Sequence, residues 1–150
     1  MHTQSEIEAA DRLTRRRARM LPFLAIVFLL QQASYFTLQY EEGRRTVDHV
    51  QIGAWLILSI VLLLALSTGG FWLKPARIRA LMEDEVTRAN RAEAFRIGFL
   101  VTMTASIGLY LIGLYEPLGG REAIHVLMTI GIAAALLRFG YLERRALKDG

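Results

Sequence analysis

Two histidines and two glutamates occupy matching places in the two halves of the chain and could bind a metal ion or a heme. Glu41 precedes His49, and Glu116 precedes His125 at nearly the same spacing. Facing imidazoles can ligate heme iron, and zinc accepts His together with Glu. The alternative is that histidines at a membrane surface contact water, headgroups or carboxylates, and no HExxH or heme-attachment motif accompanies them. Both interpretations stay open.

A second candidate site is a row of polar side chains within an otherwise apolar stretch. Gln31, Tyr35 and Gln39 recur every four residues, and Gln32 lies beside them, so they share one side of a helix. Glutamine in hydrocarbon is unfavourable unless it is hydrogen-bonded to a neighbouring helix. The row therefore either holds helices together or lines a polar cavity through which a small molecule binds or moves.

Residue types that many enzymes need are missing or scattered. The chain has no cysteine, which excludes thiolate catalysis, disulfides and cysteine metal clusters. No GxSxG motif or phosphate-binding loop occurs, and no Asp or Glu lies inside an apolar segment, where proton-coupled carriers commonly need one. The sequence predicts a protein without enzymatic activity and without a resident cofactor.

Four apolar segments must position these residues. Hydrophobic residues make up 53% of the 150 residues, above the roughly 45–50% of soluble domains. Crossing a bilayer core takes about 20 apolar residues in a helix. Four segments satisfy this length, and we expect each to be a transmembrane helix: residues 20–40, 50–73, 97–115 and 123–142. The predicted fold is an all-α, four-helix transmembrane bundle made of two hairpins, 20–73 and 97–142.

The basic residues predict the orientation of this bundle. All but three of the 18 Lys and Arg residues lie before the first segment, between the second and the third, or from Arg138 onward. Cytoplasmic connections retain positive charge, so the tails 1–19 and 143–150 and the connection 74–96 are expected in the cytoplasm, with the protein in the inner membrane. Because these residues flank apolar segments and form no single patch, nucleic-acid binding is not expected.

The middle connection is predicted to be a helix that continues into the third segment. Apolar residues recur every three or four positions from Ile78 to Phe95, which is the period of a helix. The opposite side carries a charged stretch made of Glu83, Asp84, Glu85, Arg88 and Arg91. This stretch is either a solvated face or a docking surface for a protein partner.

An internal duplication is predicted from uncommon residue types that match between the halves. The matches pair Tyr35 with Tyr110, Tyr40 with Tyr115, Glu41 with Glu116 and His49 with His125. Two such hairpins would be related by a twofold axis along the membrane normal. The alternative explanation is that tyrosine and other polar residues simply favour the membrane surface.

Small residues at intervals of four predict close helix packing. They are Gly98, Thr102 and Ser106 in the third segment and Gly131 and Ala135 in the fourth. Small side chains at this spacing let helix backbones approach closely. The pattern fits either packing within the bundle or a homodimer.

The second half of the chain resembles small uncharacterised bacterial inner-membrane proteins. The run MEDEVTRANRAEAFRIGF, which leads into two apolar segments, and the sequence Tyr-Leu-Glu-Arg-Arg at 141–145 carry this resemblance. It implies a charged helix leading into a two-span hairpin, and it implies no activity and no functional residue.

The leading functional prediction is a non-enzymatic accessory, scaffold or regulatory membrane protein. It would act through helix packing and the charged middle connection, and it would bind either itself or another membrane protein. The two alternatives are a small-molecule binder or transporter that uses the polar row, and a heme or metal protein that uses His49 and His125.

Overall fold

Four long helices make up the part of the chain that the computed structural model describes, residues 2–38, 45–69, 85–116 and 119–149. They are α1 (His2–Leu38), α2 (Arg45–Ser67), α3 (Glu85–Gly113) and α4 (Gly120–Asp149). No strand occurs among these residues, so the predicted all-α class is confirmed for them. Residues 76–84 of the predicted middle helix lie outside the described residues, and α3 is unbroken from Glu85 into the third apolar segment.

Local chemistry sets where α2 ends. The helix stops at Ser67, before the predicted end of the second segment at residue 73. Gly69 turns the chain with a φ of 69°, a left-handed conformation that commonly ends helices and favours glycine. The Thr68 amide still donates to the Leu64 carbonyl at 2.9 Å. α1 and α4, by contrast, continue from the apolar segments into the two tails without a break.

α4 is the central helix, because it contacts α1, α2 and α3. α1 is antiparallel to α4, since Arg17 meets Glu143 and Gln32 meets His125. α3 is also antiparallel to α4, and α2 is parallel to it. Four parts of the chain therefore meet at one end of the bundle, which we call the basic end: the region of Arg17 in α1, the end of α2, the start of α3 and the end of α4.

The interior and exterior of the bundle differ from those of a soluble protein. A cluster that includes Phe28, Leu66, Leu136 and Phe139 fills the core. Outside it, large apolar side chains are exposed on every helix, for example Phe23, Ile57, Phe99 and Leu137. The buried polar or charged side chains are Arg17, Gln32, Ser59, Thr87, His125, Thr129 and Glu143. An apolar exterior over a partly polar interior is what a lipid solvent favours.

Among the described residues, two helices are long and apolar enough to cross a membrane, α3 and the Gly120–Lys148 part of α4. The apolar part of α2 among the described residues, Ile52–Ser67, is shorter. Half of the apolar window of α4 is buried, compared with 6% of that of α3. α3 is therefore a peripheral helix that packs along one side only.

The helix contacts give the predicted duplication no support. A twofold axis would make the contact between α1 and α2 resemble the contact between α3 and α4. In the described residues α3 packs extensively on α4, whereas α1 packs on α4 rather than on α2. The duplication stays a prediction.

Candidate functional site

A buried charged cluster joins all four helical segments at the basic end. Arg17 of α1 forms an ion pair with Glu143 of α4, and both side chains are almost completely buried. Arg17 also donates to Thr87 Oγ1 at 3.2 Å and to the Gly69 carbonyl at 3.4 Å. Asn90 Nδ2 donates to the second carboxylate oxygen of Glu143 at 3.2 Å. Each helix, or the turn that follows it, thus supplies one or more members of the cluster.

The charged cluster is best understood as a set of contacts that holds the helices together. The Arg17 guanidinium carbon lies 5.4 Å from the centre of the Phe139 ring, in cation–π contact. A buried ion pair gains little over apolar packing, but its geometry specifies which helices meet. The sequence contains no signal that singles out Arg17 among its neighbouring arginines.

A second ion pair lies toward the outside of the same end. Arg138 of α4 donates to Glu93 of α3 at 3.4 Å, and both side chains are about one-third exposed. The Arg138 guanidinium also lies 5.9 Å from the centre of the Tyr141 ring. Arg138 thus connects α3 to α4, and half-exposed pairs of this kind are worth little by themselves.

A buried polar cluster lies toward the opposite end of the bundle. Gln32 Oε1 of α1 accepts a hydrogen bond from His125 Nε2 of α4. Because an amide oxygen can only accept, this bond places the imidazole proton on Nε2. Trp55 of α2 stacks on the His125 ring, with the ring centres 4.1 Å apart and 26° between the planes. Three helices are thereby joined at one imidazole.

Three further polar atoms belong to this cluster. Trp55 Nε1, Ser59 Oγ and Thr129 Oγ1 are buried and have no hydrogen-bond partner among the described residues. Ser59 lies one helical turn after Trp55, and Thr129 lies one turn after His125. A buried polar group without a hydrogen bond is costly, so these atoms are suited to bind a small polar molecule.

The predicted ligand sets come together only in part. Gln32 is buried and bonded to His125, and Gln31 beside it is half-buried. Gln39 and Glu41 and the side chains of Tyr35 and His49 lie outside the described residues. Glu116 is exposed in the turn after α3.

The positions of the predicted ligand residues give no support to the heme or metal interpretation. His125 contacts Gln32 and Trp55, and its Nε2 is already bonded. The described residues contain no group of three His, Asp or Glu side chains that could hold a metal ion. Ligation by His49 together with His125 stays a prediction, because the His49 side chain is outside the described part.

The small residues lie where α3 crosses α4. A Cβ built on Gly98 would lie 2.9 Å from Ala135 Cβ and 3.0 Å from the Gly131 carbonyl oxygen. One built on Gly131 would overlap Thr102 Oγ1. Ser106, one turn further along α3, is half-buried and donates to the Thr102 carbonyl at 2.8 Å. Four of the five predicted packing residues therefore meet within the chain.

An apolar groove of about 380 Å³ opens between α2 and α3 over α4. Leu63 and Leu66 form the α2 wall, and Phe95 and Phe99 are on the α3 wall. On α4 it extends from Ile124 to Ala135, about 16 Å along the helix. Of the described residues that line the groove, Thr102 alone has a polar side chain. We call this feature the α2–α3 groove.

The described residues of the charged stretch lie on α3 between the start of this helix and the groove. Glu85 and Arg88 are exposed, and Arg91 is half-buried. Glu83 and Asp84 lie outside the described residues. Glu85, Arg88, Phe95 and Phe99 follow one another at intervals of three, seven and four residues, so they lie along one side of α3. Charged and groove-lining residues thus share one face.

Comparison with known proteins adds no family to this description. No family model, curated protein or solved structure matches the chain. The resemblance of the second half to small bacterial inner-membrane proteins stays a prediction. Function is therefore inferred from the contacts, the burial and the charges of the described residues alone.

Proposed function

We propose that the chain is a four-span inner-membrane protein with both termini in the cytoplasm and a non-enzymatic accessory or scaffold role. In this role it binds a transmembrane helix of another membrane protein. The observation that carries the proposal is the α2–α3 groove, which opens sideways toward lipid beside the peripheral helix α3.

The dimensions of the bundle support the four-span placement. From Arg17 in the charged cluster to the end of α1 at Leu38, the helix is about 30 Å long. This length equals the hydrocarbon thickness of a typical bilayer. The exposed side chains between these points include Phe23, Ile26 and Leu30. The charged cluster would then lie at the cytoplasmic surface, where arginines are retained.

The shape of the groove favours a helix as its occupant. Leu63 and Leu66 are three residues apart on α2, and Phe95 and Phe99 are four apart on α3. These spacings build the ridges into which a third helix packs. The groove is also about three helical turns long, so it offers enough length for a helix to seat.

The charges beside the groove favour a protein over an anionic lipid. Glu85 and Arg88 carry opposite charges on the face of α3 that continues into the groove. A polypeptide leaving the groove toward the cytoplasm can present complementary charges of both signs, and such complementarity gives specificity. A lipid phosphate, which is an anion, would make no favourable contact with the Glu85 carboxylate.

Photo-crosslinking in growing cells tests this proposal. A photoreactive amino acid placed at Phe99 or Leu127, both in the groove, should give one discrete protein product. The same amino acid at Ile57, which is more exposed but lies on another side of α2, should give none. Leu63→Trp, which narrows the groove, should remove the product, whereas the control Ile57→Trp should retain it.

Two outcomes would contradict the proposal. Products of equal yield from the groove sites and from Ile57 would show unspecific collisions in the membrane. A product that contains only a second copy of this chain would assign the groove to self-association. Mass spectrometry of the product distinguishes a partner helix from a second copy.

A second candidate function, binding of a small polar molecule inside the bundle, is favoured by the buried polar cluster. Trp55 Nε1, Ser59 Oγ and Thr129 Oγ1 have no partner among the described residues. Trp55 stacks on His125, and Ser59 and Thr129 follow Trp55 and His125 by one helical turn. Groups of this kind in a membrane interior often mark a polar pathway. Removing the two hydroxyls, as set out in the Discussion, distinguishes this function from simple helix packing.

A further inference from the structure

A pocket of about 720 Å³ lies between α1 and α4 at the basic end, and its charged lining residues are all cationic. They are Arg15 and Arg19 on α1 and Arg144, Arg145 and Lys148 on α4, and the other lining residues are Ala18, Tyr141 and Leu147. Among the described residues, no carboxylate lines it. Cations gathered in one concave site create a field that attracts anions.

Two carboxylates near the basic end are bonded elsewhere in the bundle. Glu143 is bonded to Arg17 and Asn90, and Glu93 is paired with Arg138. Neither of these acids is among the residues that line the pocket. One wall is fixed by a backbone contact, because Arg144 Nε donates to the Ala18 carbonyl at 3.0 Å.

The pocket continues into an apolar surface on the side of the bundle centre. Phe23 lies one turn after Arg19 on α1, and Leu137 lies one turn before Tyr141 on α4, and both are exposed. Residues four apart share one side of a helix. A cationic pocket followed by exposed apolar side chains matches a phosphate headgroup followed by acyl chains. A soluble phosphate has no acyl chain that could contact the apolar side chains.

We propose that this pocket binds the phosphate group of an anionic phospholipid from the cytoplasmic leaflet. Basic pockets between transmembrane helices on the cytoplasmic side are suited to such headgroups. Arginine presents several donors to phosphate oxygens and binds them in a fork. The inference rests on the four-span placement, but it does not depend on a partner in the α2–α3 groove.

The test compares lipid binding by the purified full-length protein and by two double variants in neutral detergent. The probes are phosphatidylglycerol, phosphatidylcholine and glycerol 3-phosphate, and binding is measured from the shift of the thermal unfolding midpoint during a titration. Arg19→Gln with Lys148→Gln removes one cation from each wall. Arg88→Gln with Arg96→Gln removes two exposed cations from α3, outside the pocket.

Phosphatidylglycerol should bind the native protein and the α3 control variant with equal affinity. Loss of Arg19 and Lys148 should weaken this binding roughly 30-fold, as expected for two cations at a lipid headgroup. Phosphatidylcholine and glycerol 3-phosphate should bind weakly to all three proteins.

Three results would overturn the inference. Equal loss in both double variants would show attraction to overall charge rather than to the pocket. Equal binding of phosphatidylcholine would remove the requirement for an anionic headgroup. Glycerol 3-phosphate binding as tightly as phosphatidylglycerol would assign the pocket to a soluble phosphate. Because neither Arg19 nor Lys148 touches the α2–α3 groove, these results are independent of the proposed partner.

Discussion

Arg17 in the first half of α1 and Glu143 near the end of α4 are 126 residues apart in sequence and form a buried ion pair where all four helical segments meet. Thr87 and Asn90 of α3 and the Gly69 carbonyl after α2 complete its hydrogen bonds. This ion pair and its hydrogen bonds therefore connect α1, α3, α4 and the turn after α2 beside the proposed cytoplasmic surface.

Removing one member of this pair should destabilise the protein strongly. We expect Arg17→Met or Glu143→Leu to lower the free energy of unfolding by about 3–5 kcal/mol, because each leaves the other charge buried alone. The double variant should recover a large part of the loss. Denaturant titration in detergent measures these values, with Arg16→Met, an exposed neighbour, as the control. A double variant as unstable as the sum of the single variants would contradict the pairing.

The crossing of α3 and α4 should be sensitive to a single methyl group. Gly131→Ala places a Cβ against Thr102, and overpacking of this kind costs about 1–3 kcal/mol. Gly108→Ala is the matched control on α3, because nothing lies within 4 Å of its added Cβ. Thermal unfolding in detergent should show a lower midpoint for Gly131→Ala alone. Equal midpoints for the two variants would contradict the crossing.

The bond between Gln32 and His125 should appear as a coupling energy. Gln32→Leu and His125→Phe each remove it, and phenylalanine retains a ring against Trp55. A double-mutant cycle of unfolding free energies should give a coupling of about 0.6–2 kcal/mol, the range for hydrogen bonds between transmembrane helices. Additive effects of the two substitutions would mean that the side chains do not interact.

The two buried hydroxyls separate helix packing from binding of a polar molecule. If Ser59 and Thr129 serve packing alone, Ser59→Ala with Thr129→Val should leave stability unchanged or raise it slightly, because neither hydroxyl has a partner among the described residues. We expect this result. A loss of stability by about 1 kcal/mol or more for each hydroxyl would show that they are hydrogen-bonded in the folded protein, as the second candidate function requires.

The sequence predicted the positions of the helices better than the contacts between residues of different helices. Apolar segments of sufficient length indicate helices wherever they occur, and spacing by four residues identified Gly98, Gly131 and Ala135, which meet between α3 and α4. α2 ends at Ser67, within the second predicted segment, because Gly69 takes a left-handed conformation, and residues 70–73 of that segment lie outside the described residues.

Long-range pairs were beyond sequence reasoning. Gln32 and His125 were each recognised as unusual, but they were assigned to different candidate sites, a polar row and a ligand pair. Arg17 lies in a run of arginines. Retention of positive charge in the cytoplasm explains this whole run and does not single out one arginine. Which arginine is buried depends on the side that α1 turns toward α4, and that side is set by packing rather than by local sequence.

The central claim, a four-span protein with both termini in the cytoplasm, is tested most directly by labelling single cysteines in intact cells. The chain has no native cysteine, so each substitution reports one position. A membrane-impermeant maleimide should label Arg45→Cys and Glu116→Cys, and it should reach Glu8→Cys, Glu85→Cys and Lys148→Cys only after the membrane is permeabilised. Labelling of Glu8→Cys or Glu85→Cys in intact cells, or protection of all five positions, would contradict the claim.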